Sequence, residues 1–322
     1  MPSVLKRIRK SVRRMVLGPA DVPQQFPLGM RDPQSEVSVW LEGSGVHQNV
    51  TFNHVMACAA PFTVALGWEG LPDVDRAAPL ALYFRERAGE ERLLGVIGLR
   101  WSGGLTMPAG EIRLFESRGC HNYCLPRGRI WVCSLFYGYL RWRQPPEVRV
   151  TWRDAESNVV FFLCPRPVAL ASVGNRRVGN IFPLNLMGQI GREYFAFALN
   201  RERPVTSLVE RRGCIAVSSI PLDRNSVVRG LGRNHRVEGI DWTGLRFSVR
   251  RSEESNIPVP EFAQRVRTVQ IEHRRRLGSH TLFIGRVADD RRYADGPEFF
   301  VVHGLYQAWK NRSLGVAAGS RA

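Results

Sequence analysis

The stretch Cys164-Pro-Arg-Pro-Val-Ala-Leu-Ala-Ser172-Val-Gly-Asn-Arg-Arg-Val-Gly-Asn180 is the part of the chain best suited to holding a charged ligand. A strand over residues 168–173 turns tightly at Gly174-Asn175, and a second strand starts near Val178. Such a hairpin sets backbone N–H groups and short polar side chains at a sheet margin, and concave N–H clusters bind phosphate. By itself the pattern fits any hairpin. Further on, Arg203 stands just before Thr206-Ser207. An arginine beside hydroxyl donors suits a phosphate monoester, and equally suits a solvated loop. His280 precedes an apolar strand. Imidazole can shuttle a proton near neutral pH, or simply bond to backbone.

Other motifs carry less. Cys120-His-Asn-Tyr-Cys124 has only Cys133 nearby, whereas a structural zinc site needs four ligands, usually in two close pairs, so no metal is expected. Gly43-Ser-Gly45 and Gly230-Leu-Gly232 are too short for a dinucleotide or phosphate-loop fingerprint. No Gly-x-Ser-x-Gly element supports a hydrolase.

In order along the chain come Arg166-Pro-Val168, Asn180, Thr206-Ser207 and Arg212-Gly-Cys214. Gly278-Ser-His280-Thr-Leu-Phe-Ile-Gly285-Arg-Val287 and His303-Gly304-Leu-Tyr306 complete the set. Over residues 159–309 this order resembles the flavin reductase-like family of FMN-binding split β-barrels. The chain departs from the family pattern at Pro183 and Asn185, where Thr and Ser are usual. It departs again at Gln189, a Ser position, and at Ser279, the Asp of a Gly-Asp-His motif.

The resemblance implies a flavin-dependent oxidoreductase with FMN, or FAD, as its flavin and NADH or NADPH as a transient hydride donor. It implies Ser172, Asn180, Asn185 and Gln189 as polar contacts of the flavin, with the Pro183-Leu184 backbone against the ring. Arg203, Thr206 and Ser207 fall where the family binds phosphate, and His280 falls near nicotinamide and flavin. A monooxygenase that receives reduced flavin and a homodimer with flavin near the subunit interface are further expectations. Two alternatives stay open: an FMN-holding oxidoreductase with a dedicated organic substrate, and a non-catalytic barrel that binds flavin or haem.

These residues need a scaffold. With 322 residues, two domains are expected. Residues 1–19 read as a basic amphipathic helix able to touch an anionic membrane surface or pack on protein. Residues 20–146 read as a β-rich domain ending in a linker at Arg141-Trp-Arg-Gln-Pro-Pro146. Its strands are expected at 37–40, 62–66, 80–84, 93–97 and 130–133. Residues 147–312 read as the split-barrel domain and 313–322 as a flexible tail. Strands there are expected at 148–152, 159–163, 168–173, 194–199, 214–218, 245–249, 268–272 and 281–287. Short helices are expected at 205–210 and 225–231.

The front half could be a degenerate copy of the barrel. Val46-His-Gln-Asn49…Ala65-Leu66 echoes Val178-Gly-Asn180…Ala198-Leu199, Leu114…Cys120 echoes Leu208…Cys214, and Tyr137-Gly138…Trp142 echoes His303-Gly304…Trp309.

The formal charge is +17, yet Lys6, Lys10 and Lys310 are the lysines and the arginines are scattered. This permits a phosphate-bearing ligand and argues against nucleic acid as a partner. Six cysteines in so long a chain fit reduced thiols, and no apolar stretch or cleavage site follows the basic N-terminus. A cytoplasmic protein, with residues 1–19 as a peripheral membrane contact, is expected.

Overall fold

The computed structural model describes residues 25–87, 91–108, 110–124, 128, 150–175 and 177–313. The expectations for residues 1–19, for a strand at 130–133, for the linker at 141–146 and for nearly all of the tail lie outside them.

Two seven-stranded antiparallel sheets dominate the fold, with a three-stranded and a two-stranded sheet beside them. After β1 (Gln25–Met30), the first sheet holds β2 (Val37–Gly43), β3 (Val46–Asn49), β4 (His54–Ala59), β5 (Phe62–Gly67), β6 (Leu80–Glu86), β7 (Leu93–Met107) and β8 (Gly110–Asn122). Helix α1 (Trp152–Phe161) and β9 (Arg166–Pro167) lead to the second half. There come β10 (Ala169–Gly174), β11 (Gly179–Leu184), β12 (Met187–Ile190), β13 (Tyr194–Asn200), α2 (Pro204–Arg212), β14 (Cys214–Ser219) and α3 (Asn225–Leu231). A small ribbon, β15 (Val249–Arg251) and β16 (Pro258–Pro260), precedes β17 (Arg265–Leu277), β18 (His280–Arg292), β19 (Glu298–His303) and α4 (Gly304–Ser313).

The first sheet is ordered β3-β2-β6-β7-β8-β5-β4 and the second β11-β10-β14-β17-β18-β13-β12. Counted from the first sheet strand of each half, the two orders are the same. The front half therefore repeats the barrel topology of the back half. One echo in the sequence marks the repeat: Val46 and Ala65-Leu66 lie on β3 and β5, and their counterparts lie at β11 and on β13. The echo between Leu114 and Leu208 joins unlike elements, strand β8 and helix α2. The third echo lies partly outside the described residues.

Alternation builds each core. On β6, Leu80, Leu82 and Phe84 are buried and the residues between them are partly exposed, as a period of two requires. In the second half, Ala171 and Val173 of β10, Phe182 and Leu184 of β11, Met187 of β12 and Phe197 of β13 share one core. The edge strands β11 and β12 thus meet the same core without pairing, which is a curled sheet with one split.

The halves are packed together by the faces that turn away from those cores. Met56 of β4 points into its own core, while Val55 and Ala57 join Ala65 and Leu114 against Ile190, Tyr194, Ala196 and Ile284 of the other half. Strands buried on both faces read as continuous apolar runs. The polar groups at this seam are matched: Asn53 Oδ1 accepts the Gly191 N–H at 2.7 Å, and Ala60 O accepts the Ser279 N–H at 2.9 Å. Gly278 allows the close approach. Its φ is +47°, and a Cβ there would lie 2.2 Å from Ala60 O.

Residues 159–163 form the end of a helix and its exit, not the expected strand. A short apolar run fits either period. Here the Thr151 hydroxyl accepts from Asp154 N, the Asp154 carboxylate accepts in return from Thr151 N, and this capping box starts α1. Val160 and Phe161 then enter the front-half core. Residues 245–248 are likewise irregular, and β15 begins only at Val249.

Candidate functional site

The residues expected to form one site lie in three places. The first is a pocket of about 590 Å³ beside the β11 edge. Pro183, Leu184 and Asn185 line it, facing Val228 and Arg229 of α3 and His235 just beyond. Val168, Phe299 and Val301, all buried, supply an apolar floor. His235 is held there by a bond from its Nε2–H to Pro183 O at 2.8 Å. Burial, and secondarily the charge of Arg203, lowers its pKa, with the Pro183 bond opposing. The ring is therefore neutral at pH 7, with Nδ1 unprotonated.

Asn180 anchors this wall. Its Nδ2 donates to Asn234 O at 3.0 Å and Val237 O at 2.8 Å, and Asn234 Nδ2 donates back to Ile181 O at 2.8 Å. The turn carrying His235 is thereby fixed to β11. Ser172 is wholly buried on β10, and neither its hydroxyl nor Asn180 Oδ1 has a partner among the described residues.

The second place is the seam. His280 pairs with Asn200 across β18 and β13. Its Nδ1 lies 2.8 Å from Ser279 Oγ and 3.8 Å from Cys58 Sγ of the front half. Burial pushes its pKa down to about 4. Arg203 sits at the N-cap position of α2 beside this strand end without a side-chain capping bond, and Thr206 donates its hydroxyl to Asn200 O at 2.8 Å. Ser207 is exposed.

The third place is a cleft of about 220 Å³ between the halves, which Gln189 lines. Gln189 Nε2 donates to Arg192 O at 2.9 Å. Strand β19 separates this cleft from the pocket: Phe299 and Val301 face the pocket, and Glu298 and Phe300 face the cleft.

Sequence reasoning passed over His235 and Arg229. Their only signal is the Gly230-Leu-Gly232 element between them, which is too short to read as a fingerprint. It also used Arg166 solely as a motif landmark, although this arginine is 5% exposed and lines the cleft.

No protein-family model matches the chain, and no curated protein matches it significantly. It is similar to several solved structures. The NADH:FAD oxidoreductase of Streptomyces globisporus is 19% identical, over 50% of this chain and 95% of that one, with a TM-score of 0.43. The flavin reductase component of a bacterial two-component tryptophan halogenase is 15% identical, over 47% and 94%, with a TM-score of 0.42. An FMN-binding protein from Thermus thermophilus with bound p-hydroxybenzaldehyde is 18% identical, over 43% and 82%, with a TM-score of 0.38. These neighbours are flavin reductases and FMN-binding split-barrel proteins, and they cover about half of this chain.

Proposed function

We propose that the chain is a flavin-dependent oxidoreductase whose pocket at the β11 edge holds FMN, or FAD, and which takes hydride from NADH or NADPH. The observation that supports this reading is the pocket itself. Three residues implied as flavin contacts, Pro183, Leu184 and Asn185, line it. Its volume of about 590 Å³ lies in the usual range for cofactor sites, mostly apolar with a few placed polar groups.

The residues fit the group. Leu184, Val228, Phe299 and Val301 would hold an aromatic ring, and exposed Arg229 would meet a phosphate at the mouth. When bound, the flavin supplies the hydride chemistry. Asn185 offers an amide N–H to negative charge at the ring edge, as an oxyanion donor does. His235, kept neutral, presents Nδ1 as a proton acceptor. His280, also neutral at pH 7, lies at the seam outside this pocket, and its implied role as a donor to the nicotinamide carboxamide is the part of the proposal that a His280→Ala variant tests.

Reduced flavin would pass to a separate monooxygenase. The seam of this single chain takes the place of a subunit interface in the proposal, so no second copy is needed. An absorbance spectrum with FMN titration tests the core of the reading. Saturable uptake, with a shifted flavin band and NADH oxidation, is expected. A chain that takes up no flavin would sink it.

A further inference from the structure

The cleft between the halves carries more positive charge than its own residues balance. Arg31, Arg166, Arg265, Arg267 and Arg292 line it, and Glu298 is its acidic member. Arg265 and Arg267 both pair with Asp290, at 2.5 and 3.2 Å, so two cations share one carboxylate. Arg292 lies 3.6 Å from Asp295 and 3.8 Å from Glu298. Among the described residues, Arg31 and Arg166 have no carboxylate partner.

Arg166 is the centre of the site. It is 5% exposed, and its Nε has no hydrogen-bond partner among the described residues. Its guanidinium lies 3.8 Å from the centroid of the Phe161 ring and donates to His54 Nε2 at 2.5 Å and to Phe161 O at 3.4 Å. Burial pushes its pKa down only to about 10, so it stays charged at neutral pH. A buried cation held rigidly, without a counter-charge, is costly unless something completes it. Arginine presents a planar fork matched to oxyanions.

We propose that this cleft binds a small, doubly charged oxyanion, a phosphate or a dicarboxylate, at a site separate from the flavin pocket. Its volume of about 220 Å³ is well below that of the pocket beyond β19. Neutral His54 acts as a positioning residue that aims Arg166. The inference does not depend on the flavin reading, because the cleft residues and the pocket residues do not overlap.

The test is calorimetric titration of the full chain with inorganic phosphate and, separately, succinate, in chloride buffer of fixed ionic strength. Saturable binding of one ligand per chain is expected for at least one of them, and whichever binds more tightly identifies the source chemistry. Arg166→Met should weaken binding at least tenfold. Because that substitution removes a buried group, the double variant Arg31→Gln/Arg292→Gln, at two exposed positions, gives a second reading. It should weaken binding at least fivefold with an unchanged melting temperature. No saturable binding of either anion overturns the inference, as does equal affinity in wild type and the double variant. Phosphate that competes with FMN would assign the cleft to the flavin and overturn it too.

Discussion

Arg166 Nη2 donates to His54 Nε2 at 2.5 Å, joining the back half of the chain to the front half. A guanidinium can only donate, so His54 must keep its proton on Nδ1, which lies 2.5 Å from Val50 O. Burial first, and the Arg166 charge second, hold the His54 pKa well below 6.5.

This predicts acid lability. His280 and His303 are also lowered, each to about 4 by burial. A histidine whose folded pKa is depressed adds stability that is complete above its unfolded value, about 6.5. That stability is lost as pH falls from there towards the folded value, because the unfolded chain binds the proton more readily. His280 and His303 would each cost about 3 kcal/mol across this window if they titrate independently. The melting temperature should be level above pH 7 and drop steeply from pH 6.5 to 4. A level profile across that range would contradict the buried, neutral histidines.

Gly278→Ala should destabilise the seam. The new Cβ would stand 2.2 Å from Ala60 O, and φ of +47° is unfavourable for alanine. The obstacle is backbone and cannot swing away. A loss of about 2–4 kcal/mol is expected, read by denaturant unfolding. Gly45→Ala is the control: its φ is also positive, but its Cβ would meet nothing within 4 Å among the described residues. Equal losses in the two variants would leave strain alone as the cause.

His235 and His280 should separate binding from turnover. His235→Ala removes a pocket wall and should weaken FMN binding about tenfold. His280→Ala should leave the FMN dissociation constant within about twofold and lower kcat by about 10²-fold, the scale of a lost proton-transfer or donor group. If both variants lose flavin affinity alike, the proposed role of His280 is wrong.

Asp154→Ala tests how the front half is closed. One carboxylate oxygen accepts the Phe62 N–H at 2.7 Å, and the other accepts the Thr151 hydroxyl at 2.6 Å. Removing it leaves a buried backbone donor unsatisfied and uncaps α1. About 3 kcal/mol of lost stability is expected, against about 1 kcal/mol for Thr151→Ala. A loss in Asp154→Ala no larger than in Thr151→Ala would show that the Phe62 bond contributes nothing.

The strands were readable where one face is buried and the other wet, as on β6. They were only partly readable on β17, where Arg274, Arg275 and Arg276 continue the strand after its apolar alternation fades. Residues 159–163 misled because five apolar residues satisfy both periods and the deciding cap lies upstream at Thr151. In the site, Pro183-Leu184-Asn185 could be singled out as a contiguous motif. His235 and Arg229 could not, since they meet that motif only after about 50 residues of chain fold back. The positive charge looked diffuse along the sequence, yet five arginines from four distant segments converge on one cleft.

Two copies of one topology in a single chain have a consequence for how the protein can change. In a homodimer every substitution appears in both subunits, and a residue useful on one side is imposed on the other. Here each copy is free to drift. Near the start of β7, Val160 and Leu163 crowd so closely that a Cβ on Gly95 would lie 2.7 and 2.9 Å from them. At the matching end of the other copy, where β17 starts, arginines line an open cleft. One copy is packed tight at this end and the other borders a cleft, a division of labour that a symmetric pair could not adopt.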